Sequence, residues 1–235
     1  SNLGVYAQRM GNVALSKEHH RKALSIRESE KNTDAEDLYI SYNSIAGIMW
    51  YASKTDSAEF FYNKALKALE KIKPSNRNKY YRPAIIQNNI SAIYSGDGRM
   101  SNAINAQQDA ISNIQQYIAS DDPAQKREDA KSFLFEATDN LAGFYKEIGD
   151  YKKTKDILLY SYQQKKQQLK PGHPGIFISE ILIGQLFNSL HNYDEAVEYL
   201  DKGLTKLKAA EGDYIFWEAD ARYAMAVANQ NKNNR

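Results

Sequence analysis

Four stretches of this 235-residue chain align with one another without a gap. They are YNSIAGIMWYASKTDSAEFFYNKAL (42–66), QNNISAIYSGDGRMSNAINAQQDAI (87–111), TDNLAGFYKEIGDYKKTKDILLYSY (138–162) and EILIGQLFNSLHNYDEAVEYLDKGL (180–204). A fifth copy, SNLGVYAQRMGNVALSKEHHRKAL (1–24), begins a few residues into the unit. No other feature narrows the fold so far. Each copy must be one supersecondary unit that cannot bury its apolar face alone, so neighbouring copies must stack.

The repeated columns define the unit. An aliphatic residue opens each copy (Leu3, Ile45, Ile90, Leu141, Ile183) and a small residue follows at once (Gly4, Ala46, Ser91, Ala142, Gly184). Three positions further stand Ala7, Met49, Tyr94, Tyr145 and Phe187, which places all three columns on one face of a helix. A second helix carries Ser16, Ala58, Ala103, Thr154 and Ala196, then Ala23, Ala65, Ala110, Ser161 and Gly203 seven residues on. Each copy therefore reads as a helical hairpin with small residues at its crossing points. A sixth first helix follows in WEADARYAMAVANQNKNNR (217–235), with Tyr223, Ala224 and Val227 in the columns.

Between the two helices one column reads Gly11, Ser53, Gly98, Gly149, His191. A helix commonly ends on a residue with positive φ, which glycine adopts without steric cost and histidine tolerates better than most residues. The stretch IYSGDGRMSNAI (93–104) could suggest a phosphate-cradling loop. That chemistry needs a preceding strand and a fixed glycine–lysine spacing, and neither is present, so Gly98 is expected to be a hairpin corner. Gly96 is not explained by the repeat.

Composition narrows the function classes. The absence of cysteine excludes disulfides, thiolate-ligated metals and thiol chemistry. It suits cytosol and periplasm alike, with the cytoplasm slightly favoured. A net charge of +2, from 31 basic and 29 acidic side chains, lacks the basic excess of a nucleic-acid binder. No apolar run is long enough to span a membrane, and the start does not resemble a signal peptide. Five prolines and twelve glycines permit long helices. The 17 tyrosines suit a thin, layered core, because a tyrosine buries its ring while its hydroxyl stays at a wet edge.

Other candidate chemistry is sparse. His19 and His20 point about 100° apart on a helix, which suits no single metal, and His20 shares a column with Tyr62, Gln107, Leu158 and Leu200. His173, in a Gly-His-Pro loop, reads as a turn residue. The lysine-rich segment 151–170 reads as a solvated helix face before it reads as a nucleic-acid site. No nucleophile–base set, paired catalytic carboxylates or cofactor fingerprint stands at a working spacing. The expectation is no enzyme, no cofactor, no metal and no nucleic acid.

The pattern resembles the tetratricopeptide repeat family, carried by YNSIAGIMWYASKTDSAEFFYNKAL and HNYDEAVEYLDKGL. The copies recur at 42, 45, 51 and 42 residues, against about 34 in the common form. Such spacing, with Asn-Asn before the aliphatic residue, is most similar to the kinesin light chain type. The resemblance implies an all-α, right-handed superhelical solenoid of about 11 helices, forming one domain over residues 1–235. Its repeats would cover 1–34 (partial), 35–76, 77–121, 122–172, 173–210 and 211–235 (first helix only). Neither end supplies a polar cap, so the chain is expected to be a piece of a larger polypeptide; the family resemblance and the Asn- and Lys-rich composition suggest a bacterial one.

In this family the first helices line a concave wall. The resemblance places Asn43, Gly47, Trp50, Asn88, Asn89, Ala92, Asp139, Asn140, Gly143 and Lys146 there, with Gln185 and Arg222 on the later wall. Asparagine can both donate to and accept from the backbone of an extended peptide, and Gly47, Ala92 and Gly143 leave room for it. The later wall, with Ile178, Ile181 and Leu182, turns apolar and is followed by Glu218 and Arg222. The wall lacks the lysines and arginines with which some relatives clamp a terminal carboxylate. The implied function is a scaffold that binds a peptide or protein segment in its groove, as the recruiting part of a larger protein. The alternative is a regulatory module fused to a protease, a kinase or a transcription regulator and acting on other domains of the same polypeptide.

Overall fold

Four hairpin corners carry positive φ where the repeat expects them: Ser53 (55°), Gly98 (73°), Gly149 (78°) and His191 (60°). Each corner is closed by the same two backbone bonds. Lys54 N–H donates to Met49 C=O and Ser53 N–H to Trp50 C=O, at 2.8 and 2.9 Å; the equivalents are Arg99 to Tyr94, Asp150 to Tyr145 and Asn192 to Phe187. This is the Schellman arrangement, which satisfies carbonyls that a helix end would otherwise leave bare. The conformation strains a side chain at Ser53 and His191 and costs the two glycines nothing.

The computed structural model describes residues 10, 12–30 and 32–233. The expected first-copy positions Leu3, Gly4, Ala7 and Gly11 lie outside these. The described residues form ten α-helices: α1 (Val13–Ser29), α2 (Ala35–Tyr51), α3 (Thr55–Leu69), α4 (Arg82–Gly96), α5 (Met100–Ile118), α6 (Ala124–Glu147), α7 (Tyr151–Gln168), α8 (Pro174–Ser189), α9 (Tyr193–Ala209) and α10 (Ile215–Asn233). A single π-type turn, Arg77–Tyr81, leads into α4. The expected eleventh helix is the first helix of copy one, which falls on residues that are not described.

Helix starts follow capping chemistry. Asn12, Asp34 and Asp150 each accept a backbone N–H of the first turn of α1, α2 and α7. His173 caps α8, its Nδ1 accepting from Gly175 N–H at 3.1 Å, with Pro174 at the first helical position.

The chain divides into two compact units, Ser1–Lys131 and Ser132–Arg235, with the boundary inside α6. In each unit the small-residue columns form the contact between the two helices of a hairpin. Ala46, Ser91, Ala142 and Gly184 are buried, as are Ala58, Ala103, Thr154 and Ala196. The approach is closest in α8 and α9. A Cβ on Gly184 would meet Leu200 Cγ at 2.6 Å, and one on Gly203 would meet Ile181 Cγ1 at 2.7 Å.

The tyrosines sit at the edge of these thin cores. Between the second helix of one hairpin and the first of the next, Tyr42 donates to Glu28 (2.9 Å), Tyr94 to Glu59 (2.9 Å) and Tyr162 to Glu180 (2.8 Å). The ring packs inside while the hydroxyl ties the two hairpins together. Burial and the Glu28 bond push the Tyr42 hydroxyl up to about 12.

Candidate functional site

In unit 2 the first helices α6, α8 and α10 wall a cavity of 580 Å³. One stripe of α6 provides Glu136, Asn140, Gly143 and Glu147, spaced four, three and four residues apart and so on one helix face. Ile178 and Leu182, one turn apart on α8, form the facing apolar wall, and Trp217 of α10 closes one side. Phe135 and Phe144 form the base, both with little exposure. Gly143 leaves the surface open, since a Cβ there would meet nothing within 4 Å.

An ion pair lies beneath this surface. Lys165, at the far end of α7, is 2 % exposed and donates to Asp139 of α6 and to Ser179 Oγ of α8, the latter at 2.8 Å. Ser161 Oγ donates to the other oxygen of Asp139 at 2.9 Å. Lys165 Nζ also stands 5.8 Å from the centre of the Phe135 ring. Burial pushes the Asp139 carboxyl above its ordinary range, with Lys165 and Ser161 pulling against it. The pair binds three helices to one another, which fixes the spacing of the walls.

The structure distributes the expected groove residues over several places. Asp139, Asn140 and Gly143 meet at the 580 Å³ cavity. Lys146 and Gln185 line a second cavity of 390 Å³ with Asn188, Asp220 and Tyr223, where Gln185 donates to Asp220. Arg222 is exposed and paired with Glu218, one turn back on α10. Ile181, expected on the apolar wall, is fully buried in the core instead.

In unit 1, Asn43, Gly47 and Trp50 lie on α2, and Asn88, Asn89 and Ala92 on α4. Asn88 Oδ1 accepts from Gln107 Nε2 of α5 at 3.0 Å, and Asn89 bonds the Tyr62 hydroxyl of α3. A Cβ on Gly47 would lie 3.8 Å from that same hydroxyl. Here Asn88 and Asn89 join helices. The described cavities of unit 1, 160 and 430 Å³, are lined by other residues.

Several residues at the cavity carry no groove signal in the sequence reading. Phe135 and Trp217 share a column six residues before the opening aliphatic, with Tyr39, Ala84 and Phe177. That near-aromatic column was the available signal. Lys165 is hidden in a lysine-rich stretch, yet its own column reads Arg27, Leu69, Ile114, Lys165, Leu207, three of five apolar. His20 fills the same buried column as Tyr62, Gln107, Leu158 and Leu200, and burial holds its imidazole below the ordinary value. Among the described residues no group of histidines and carboxylates could hold a metal, and no helix is long and apolar enough to cross a membrane.

Residues 1–71 match the tetratricopeptide repeat family. The corners, columns and hairpin order extend the same unit through the described residues to α10. The fold is tetratricopeptide-like. Solved structures superpose on most of it. The nearly identical TPR-like repeats of a Podosopora anserina protein described as a kinesin light chain give a TM-score of 0.69 at 15 % identity, covering 90 % of this chain and 95 % of that one. BtubC (BKLC) from P. vanneervenii gives 0.70 at 18 %, covering 90 % and 80 %. RapI in its apo form gives 0.70 at 14 %, covering 88 % and 68 %. At these identities the likeness is one of fold. No curated protein sequence matches the chain.

Proposed function

We propose that this chain is a non-enzymatic protein-interaction scaffold whose unit 2 holds an extended segment of a partner protein against the wall of α6, α8 and α10. Tetratricopeptide repeats generally mediate protein–protein contacts, and the fold match supports that general role. The observation that carries the narrower reading is the 580 Å³ cavity, where an apolar floor meets the polar edge of Asn140 and the open backbone of Gly143. Asn140 places a side-chain amide at the edge of the cavity, and the small residue beside it allows the peptide close approach.

The test is retention of a pool of fluorescent nine-residue peptides of random sequence on the immobilised protein. Gly143→Trp fills the cavity from an open position, so it should abolish retention while the helical circular dichroism is unchanged. Asn89→Ala, in unit 1, should leave retention intact. Equal retention by Gly143→Trp and the unaltered chain would overturn the reading.

A further inference from the structure

The unit 2 cavity is acidic as well as apolar, and this specifies its occupant. Four ionised side chains line it: Glu136, Asp139 and Glu147 against Lys165. Asp139 and Lys165 neutralise each other below the surface. The remaining two, Glu136 and Glu147, are exposed, and neither takes part in an ion pair among the described residues. Lys146, beside Glu147 in sequence, faces the other cavity. His173 is engaged through Nδ1 as the cap of α8. Two uncompensated carboxylates therefore stand on one stripe of α6, on either side of Asn140 and Gly143.

Their spacing sets a register. Eleven residues of helix separate Glu136 from Glu147, a rise of about 16 Å at 1.5 Å per residue. An extended peptide advances about 3.3 Å per residue, so about five residues cover that distance. Between the two carboxylates the floor is Phe135 and Phe144 and the wall Ile178 and Leu182, which accept a large apolar side chain. Resting on the groove reading above, we infer that the partner segment is basic and apolar: one large aliphatic or aromatic residue seated in the cavity, with a lysine or arginine on each side about five positions apart. An acidic segment would meet two like charges, and that repulsion is how such a surface rejects the wrong partner.

The experiment uses three synthetic pools of fluorescent nine-residue peptides. Each has Leu, Phe or Trp at position five, and the residues at positions two or three and seven or eight are Arg in one pool, Gln in the second and Glu in the third. Fluorescence anisotropy against the full chain should give at least tenfold tighter binding for the arginine pool than for the others, with affinity falling as salt rises. The double variant Glu136→Gln/Glu147→Gln should bring the arginine pool down to the level of the glutamine pool and leave that pool unchanged. Circular dichroism of the variant should match the unaltered chain, since both carboxylates are exposed. Equal or tighter binding of the glutamine or glutamate pool, lost in Gly143→Trp, would overturn the charge inference and keep the groove. An arginine-pool affinity that survives the double variant would overturn it as well. Binding by none of the pools would overturn both.

Discussion

Lys165 Nζ lies 2.8 Å from Ser179 Oγ, and three hairpins earlier, in the same two columns, Arg27 Nη1 lies 2.5 Å from Ser41 Oγ. Arg27 and Lys165 occupy one repeat column and Ser41 and Ser179 another, so a single polar tie recurs at equivalent junctions, one in each unit. The cation in each case also takes a carboxylate, Asp37 of the following helix α2 for Arg27 and Asp139 of α6, within its own hairpin, for Lys165. At the α3–α4 junction the same two columns hold Leu69 and Ile86, both in one apolar core.

The buried tie in unit 2 should be costly to break and cheap to replace. Lys165→Leu leaves the Asp139 carboxylate buried without its cation and should cost about 3–5 kcal/mol in urea unfolding. The next hairpin holds Ile181 and Leu207 at these two positions, in one apolar cluster. Copying it, Asp139→Ile/Lys165→Leu should recover most of that loss. A double variant no more stable than the single one would count against the tie being a replaceable ion pair.

Two glycines should respond to alanine in opposite directions. At Gly203 an added Cβ meets Ile181 Cγ1 at 2.7 Å and the Phe177 carbonyl at 3.1 Å, so Gly203→Ala should destabilise by about 1–3 kcal/mol through overpacking. At Gly143 the space is open, so Gly143→Ala should stabilise by about 0.5–1 kcal/mol, the ordinary gain of alanine over glycine inside a helix. Thermal melts followed at 222 nm would show the sign of each. The same sign for both would contradict the packing described.

The corners give a second matched pair. Gly98 adopts φ 73° in an open position, and Gly98→Ala should cost about 1–2 kcal/mol from backbone strain alone. Ser53 already carries that strain at φ 55°. Ser53→Gly should therefore be neutral or stabilising, although glycine is usually a poor choice beside a helix. Measured stabilities in the reverse order would remove the corner assignment.

One ion pair predicts a pH response of unit 1. Both Nη nitrogens of the Arg82 guanidinium donate to Glu36, at 2.6 and 2.5 Å, and these bonds hold the Glu36 carboxyl below its ordinary value of 4.5. A lowered carboxylate stabilises the fold above the unfolded value, and that contribution is lost as pH falls through the folded one. Unfolding of the unaltered chain should weaken more between pH 6 and pH 3 than that of Glu36→Gln. Because the pair is partly exposed, the difference should be about 1 kcal/mol or less. Identical pH slopes would show that the pair contributes nothing.

The architecture was legible because its determinants are local. A corner needs one residue with positive φ and a crossing needs one small side chain, so both survive as columns in an alignment of copies. Even Ser53 and His191, which are not glycine, were placed by their column. The site was less legible because it depends on where long polar side chains reach. Asp139 and Asn140 are neighbours on α6, yet Asp139 turns inward to Lys165 while Asn140 lines the cavity. Nothing in the local sequence separates them; the partner lies 26 residues on, in a stretch that reads as solvated lysine. Gln107 likewise stands in a mostly apolar column, and it claims Asn88 from the face where a ligand was expected. Gly96 keeps no structural requirement: a Cβ there would be 3.7 Å from the Trp50 ring, an ordinary contact.

The recurring tie has a bearing on how such an array can be rearranged. Corners closed by their own backbone bonds would let any hairpin be cut out and moved as a finished part. The junction columns withdraw that freedom. A hairpin ending in Lys165 brings its own carboxylate, Asp139, and meets a serine on the next helix, whereas one ending in Leu69 meets an aliphatic residue. Transplanting the α6–α7 hairpin ahead of α4 would set the Lys165 ammonium, still paired with Asp139, against the buried Ile86 in place of Ser179, leaving it one hydrogen bond short. Duplication or shuffling of these units is thereby limited to orders in which each seam matches, and the chain carries its own assembly key in the side chains at its junctions.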